Sequence, residues 1–93
     1  MTPESALKKK INAYLNSVPG LFHFPVMNRG YGKNGVPDRV LCYKGRFVGI
    51  EVKAPGGTAS TPQQARIAEI VEAGGIAEVV WSVENVREII ESL

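Results

Sequence analysis

The spacing of apolar residues changes several times along this chain, and each change predicts an element. Leu7, Ile11, Leu15 and Val18 recur at helical spacing. Thr2 stands before them as N-cap, with Pro3 at the first helical position and Glu4 in the first turn, and Pro19-Gly20 stops the helix. Leu21 to Asn28 is rich in aromatics and predicts a strand, which Pro25 restricts to an edge or a bend. Arg39 to Tyr43, the turn Lys44-Gly45, and Arg46 to Lys53 predict a β-hairpin. After the loop Ala54 to Ser60, Thr61 is read as the N-cap of a second helix. Pro62 takes its first position, Gln64 comes three residues after the cap, and Gly74-Gly75 ends it. Ile76 to Ser82 reads as a strand, and Ser82 caps a short last helix carrying Val83, Val86, Ile89, Ile90 and Leu93. The order α-β-β-β-α-β-α describes one α/β domain over residues 1–93, a mixed sheet with helices packed against it.

Composition narrows the class without naming a function. A chain of 93 residues is one small domain. It buries only about two-thirds of the surface its unfolded chain exposes, so a second copy is a natural supplement to its core. An apolar content of 44% with 22% charged residues suits a soluble globular protein. No apolar run approaches the roughly 18 residues of a membrane span. The Lys cluster near the start has no apolar region behind it, which argues against a signal peptide. A single cysteine, Cys42, excludes an internal disulfide and suits a reducing cytoplasm. The charge is uneven. Residues 1–53 carry nine Lys or Arg against three acids, and residues 54–93 carry two Arg against six Glu. One basic face for an anionic partner such as nucleic acid follows, or else two solvated surfaces of different sign.

The Gly-rich stretch Gly30 to Asp38, GYGKNGVPD, contains the spacing G-x-G-x-x-G of a dinucleotide-binding loop. That motif works by ending a strand and opening a helix whose N-terminus receives the pyrophosphate. Here the third glycine leads into VPDRVLCY, a β-branched and aromatic run with no helical period. No nucleotide cofactor is expected. The glycines then read as slack in a loop, and the weight falls on Asp38.

A second constellation carries more chemistry. Strand alternation sends Val48, Ile50 and Val52 to one face and Phe47, Gly49, Glu51 and Lys53 to the other. Glu51 and Lys53 become neighbours roughly 7 Å apart, an odd pair of charges for a central strand. The hairpin brings Asp38 beside them. Two converging carboxylates suit a hard divalent cation, and a lysine beside it suits stabilisation of developing negative charge. Glu4 shares a face with Leu7, Ile11 and Leu15, and Gln64 with Ile67, Ala68 and Val71. Taken singly, Asp38 is also ordinary turn chemistry and Glu51 with Lys53 an exposed edge pair. Glu4 is equally a helix-dipole acid, and Gln64 the far end of a capping box.

GVPD, IEVK and TPQQ together resemble the PD-(D/E)XK nuclease superfamily, and within it the VRR-NUC (virus-type replication-repair nuclease) family. The resemblance runs from Glu4 to about Ser82 and implies a restriction-endonuclease-like core. It implies Asp38 and Glu51 as metal-binding carboxylates, the Val52 backbone carbonyl as a further ligand, Lys53 as the catalytic lysine, and Gln64 as the family glutamine. Glu4 matches a metal-site acid of the first helix by position alone. The implied cofactor is Mg²⁺ or Mn²⁺, and the implied activity is endonucleolytic cleavage of branched or flapped DNA, as in a junction resolvase. A homodimer is implied, with a cytoplasmic setting in a bacterium or an infected host. Lys8, Lys9, Lys10, Arg29, Tyr31, Lys33, Arg39, Lys44 and Arg46 are candidate contacts to the DNA backbone. The Lys8-Lys9-Lys10 run is equally a solvated helix face, and His23 and Trp81 read as packing or surface residues. The alternatives are a non-catalytic DNA-binding module of the same fold, an α/β protein whose carboxylates bind nothing, and a restriction-type nuclease that reads sequence.

Overall fold

A computed structural model of the chain describes residues 1–27 and 32–93. Helix α1 (Pro3–Asn16) leads into strands β1 (Phe22–Pro25), β2 (Arg39–Tyr43) and β3 (Arg46–Val52). Helix α2 (Thr61–Glu72), strand β4 (Ile76–Val80) and helix α3 (Val83–Glu91) follow. The predicted order holds throughout. The first strand is shorter than the aromatic run that predicts it. It ends at Pro25, and one further backbone bond, from Val26 N–H to the Asp38 carbonyl (2.8 Å), closes its pairing with the next segment.

The four strands lie in the order β1-β2-β3-β4, so β1 is an edge strand, as Pro25 requires. β1, β2 and β3 pair antiparallel, and β3 pairs parallel with β4, with α2 as the crossover. The hairpin between β2 and β3 turns on Lys44 (φ 53°) and Gly45 (φ 75°). Two successive left-handed residues match the twist of the flanking strands, which fixes the register of everything beyond them.

That register sorts the two faces of the sheet. Val48, Ile50 and Val52 of β3 are buried with Leu41 and Val80 against Ile11 and Leu15 of α1 and Val86, Ile89 and Ile90 of α3. Each such side chain contributes roughly 1.5–3 kcal/mol by leaving water, so this single layer holds most of the stability. The opposite face is covered more thinly. α2 has no fully buried residue, and it rests Ile70 on the bare backbone of Gly49 and Gly75. No helix among the described residues is long and apolar enough to cross a membrane.

Two local readings of the sequence are corrected. The N-cap of α2 is Ser60, not Thr61. The Ser60 hydroxyl accepts from the Gln63 N–H (3.3 Å), and the Gln63 side-chain oxygen accepts from the Ser60 N–H (2.8 Å). Thr61 and Gln64 stand at the same spacing, so the pattern alone allows both frames. Nor is Gly35 slack. It has φ 82°, and a Cβ on it would lie 2.5 Å from the Pro62 carbonyl carbon. The loop before Asp38 is therefore pressed against the first turn of α2 at a point that only glycine permits. Gly35→Ala is expected to lower stability by roughly 2–4 kcal/mol, read as a shift of the urea midpoint, because it adds both strain and a backbone clash.

Candidate active site

Asp38 stands just before β2, at the end where that strand's pairing with β3 runs out. Its Oδ2 accepts a 2.8 Å hydrogen bond from the Val52 N–H, extending the ladder by a side chain. In an extended strand the N–H and C=O of one residue point to the same edge, so the Val52 carbonyl faces the Asp38 side as well. The carboxylate is thereby fixed to the end of the central strand.

Glu51 precedes Val52 and points to the α2 face. It is 2% exposed, the one charged residue fully buried among the described residues. Its Oε2 accepts from the Gln63 side-chain N–H (3.1 Å) and lies 3.8 Å from Lys53 Nζ. Its Oε1 is buried with no hydrogen-bond partner. Burial first, then the neighbouring Asp38 carboxylate, push the Glu51 carboxyl up to about 8, against the opposing pull of Lys53 and Lys8.

The remaining predicted residues divide. Lys8 reaches the site from α1, with Nζ 3.5 Å from Asp38 Oδ1 and 3.3 Å from Glu4. Burial opposes its charge, yet Asp38 and Glu4 together hold its pKa above the usual lysine value. Glu4 thus meets Asp38 through Lys8 instead of joining the carboxylates, and no third Asp, Glu, His or Cys joins a metal cluster among the described residues. Gln64 is exposed and donates to the Ala59 carbonyl (2.9 Å), whereas Gln63 meets Glu51. The two glutamines stand about 100° apart round the helix.

Of the basic residues, Lys9 and Lys10 are exposed on α1. Arg46 and Lys44 belong to the hairpin turn. Arg46 is five residues along β3 from Glu51, roughly 17 Å away, so neither borders the site. Lys33 pairs with Glu69 of α2 (3.0 Å). Arg39 is half-buried beside Asp38. Arg29 and Tyr31 lie outside the described residues. Two clefts meet at Asp38 and Val26. One, of about 510 Å³, is lined by Gly35, Ser60, Pro62 and Gln63, and the other, of about 230 Å³, by Lys8, Met27, Arg39 and Val52.

The donor set fits a divalent cation. Mg²⁺ asks for one or two carboxylates and keeps several waters, which Asp38 and Glu51 beside an open cleft can satisfy. The partnerless Glu51 Oε1, desolvated next to a second carboxylate, is the kind of group that bound positive charge relieves.

Comparison with known proteins gives the fold. No family model and no curated protein matches the chain. A solved structure described as "VRR_NUC domain" is similar to it with a TM-score of 0.80 at 22% identity, covering 98% of this chain and 97% of its own. Another, described as "VRR_NUC domain protein", reaches 0.76 at 21% identity, with 97% and 86% covered. The likeness extends over nearly the whole chain, and the chain has the fold of a VRR_NUC domain.

The Glu51 carboxyl generates a pH prediction. Its folded pKa of about 8 lies above the ordinary 4.5, so the folded state retains a proton that the unfolded chain releases. Its contribution to stability is full below the lower value and is lost as pH rises through the upper one. Glu51→Gln keeps the shape and removes the charge. Without added metal, the variant should exceed the parent by on the order of 1–3 kcal/mol in urea unfolding at about pH 9 and differ little at about pH 5. A variant less stable than the parent at the higher pH would contradict the account.

Proposed function

We propose that the chain is a divalent-cation-dependent endonuclease that hydrolyses phosphodiester bonds in branched or flapped DNA during replication, repair or recombination. The observation that carries this reading is the pairing of Asp38 with the buried Glu51 at the open end of a central strand, with Lys53 Nζ 3.8 Å from Glu51. The VRR_NUC fold supports it.

Asp38, Glu51 and the Val52 carbonyl would hold Mg²⁺ or Mn²⁺, which when bound supplies an activated water and neutralises charge on the scissile phosphate. The protein's own groups do the positioning. The Val52 N–H pins Asp38 Oδ2, and Oδ1 faces Lys8. The Gln63 amide holds Glu51 Oε2, while Oε1 stays buried without a hydrogen-bond partner. Lys53 carries a positive charge beside Glu51, where it stabilises negative charge developing on the phosphoryl oxygens and orients the attacking water. Lys8 and Arg39 line the adjoining cleft and contact the backbone without reading bases, joined by Lys9, Lys10, Lys33, Arg29 and Tyr31. Gln63 takes the positioning role that the sequence pattern assigns to Gln64.

Cleavage of labelled flap, splayed and four-way junction DNA with Mg²⁺ or Mn²⁺ tests this reading. Lys53→Ala should fold normally, bind DNA, and cut about 10²–10³-fold more slowly. Equal rates in variant and parent would defeat the assigned mechanism. DNA binding by the parent with no metal-dependent cutting of any substrate would mark the chain as a non-catalytic DNA-binding module.

We also propose that the chain acts as a homodimer. Phe22 (67% exposed), Phe24 and Phe47 lie on the sheet face that α2 occupies, because Phe22 pairs with Cys42 and Cys42 with Phe47. α2 does not reach over β1, and a groove of about 390 Å³ opens between Phe24, Met27, Val36, Phe47 and Ile70. A second copy seated there would cover these exposed aromatic side chains. Light scattering should give about twice the chain mass, and Phe22→Asp with Phe24→Asp should return the monomer. A monomeric parent at high concentration would rule the dimer out.

A further inference from the structure

Arg39 is a half-buried cation, and among the described residues no carboxylate pairs with it. Its hydrogen-bond partner among the described residues is a ring nitrogen: Nη1 lies 2.8 Å from His23 Nδ1. The other ring nitrogen, Nε2, lies 2.7 Å from Asn16 Oδ1 of α1. A guanidinium has no acceptor, so Nδ1 must accept and the ring proton sits on Nε2, donated to Asn16. The contact therefore exists only with neutral imidazole. Burial and the Arg39 charge both keep the His23 pKa below its ordinary 6.5, in agreement with that assignment.

The register explains why these residues meet. His23 pairs with Leu41, and Arg39 two residues earlier on β2 shares its face, the one toward α1. α1 ends at Asn16, within reach of the edge strand. Beyond Arg39 on the same side lies the cleft of about 230 Å³ bordered by Lys8, Asp38, Met27 and Val52. A desolvated guanidinium held from behind by a neutral ring, with a cleft in front and no acid to answer it, is arranged for an anion from outside.

We propose that Asn16 and His23 are positioning residues that hold the Arg39 guanidinium at the cleft beside Asp38, where it receives a DNA phosphate next to the one that is cut. The proposal takes its substrate class from the endonuclease reading above, and the device itself rests on the hydrogen-bond chain. It has a built-in acid sensitivity. Protonation at Nδ1 sets a donor and a like charge against Arg39 and breaks the contact. The groups around His23 reinforce this direction: Arg39 on β2 is cationic and Asn16 on α1 is neutral. Lys8 and Asp38 border the cleft that Arg39 lines, and Ile50, the β3 partner of Arg39, is apolar.

His23 is the only histidine in the chain, so its ¹H–¹⁵N imidazole signals report this site alone. They should show the Nε2–H tautomer in the free protein, and Arg39→Gln should move the midpoint up toward that of free histidine. Binding is read by anisotropy of a fluorescein-labelled flapped duplex in EDTA, because Glu51 also titrates and would confuse a cleavage profile. At pH 7.5, His23→Phe should weaken binding about 3–10-fold, the size expected for one misplaced charge-assisted contact. His23→Asn, whose amide oxygen can stand where Nδ1 stood, should recover part of the loss. Lowering the pH to about 5.5 should weaken the parent more than His23→Phe. The proposal is overturned by a ring protonated at Nδ1, by an unmoved midpoint in Arg39→Gln, by parent-like binding in His23→Phe, or by a parent that binds no DNA in EDTA. Binding that follows the expected pattern without any metal-dependent cleavage would defeat the endonuclease reading and leave this assignment standing.

Discussion

The hydrogen bond from the Val52 N–H to Asp38 Oδ2 joins two segments that backbone pairing alone would leave to separate. β2 pairs with β3 only as far as Arg39 opposite Ile50. Beyond that point a side chain continues the ladder, and Pro37 packs beside Gly49, where a Cβ would meet the Pro37 ring at 2.9 Å. The approach of Asp38 to the central strand thus depends on a missing side chain at Gly49 and a fixed ring at Pro37. Once it is made, both carboxylates, the intervening carbonyl and Lys53 follow from the pleat of one strand.

The same geometry sets the electrostatics. Glu51 is displaced from water by α2 and by its neighbours, and a protein using it only for structure would do better with a neutral residue. Lys53 and Gln63 both address Oε2, so the compensation is one-sided and Oε1 is left unanswered. Lys8, tied to Glu4 on its own helix, brings a positive charge to Asp38 from the other side of the sheet end. Burial and Asp38 therefore oppose ionisation of Glu51, and the two lysines reduce that opposition without removing it.

The element order, the hairpin and the edge placement of β1 were legible because each rests on a local rule: a change of period, a two-residue left-handed turn, a proline. The carboxylate pair was legible because a hairpin converts sequence neighbours into spatial ones. Two things were not. Ser60 and Thr61 are equally competent caps, each followed by a glutamine three residues on, and the choice between them is made by a contact with Glu51 on another element. The link of His23 to Arg39 and Asn16 spans three elements and leaves no spacing to recognise. Charge counting alone does not place Arg46 and Lys44, because a net excess of lysine and arginine does not say at which end of a strand they sit.

Helix α2 differs from α1 and α3 in contributing no buried residue to the core. Its attachment includes half-buried contacts around Ile70, the Gly35 seat at its first turn, the Lys33–Glu69 ion pair and the Gln63 amide on Glu51. Local opening in a folded protein is governed by what the opening segment buries, and α2 buries less than α1 or α3. Such an excursion leaves the layer between α1, α3 and the sheet intact, yet it rehydrates Glu51 and frees both its oxygens. Lifting that one helix would be enough to bring water to the most secluded carboxylate among the described residues, on the side of the sheet where that carboxylate lies.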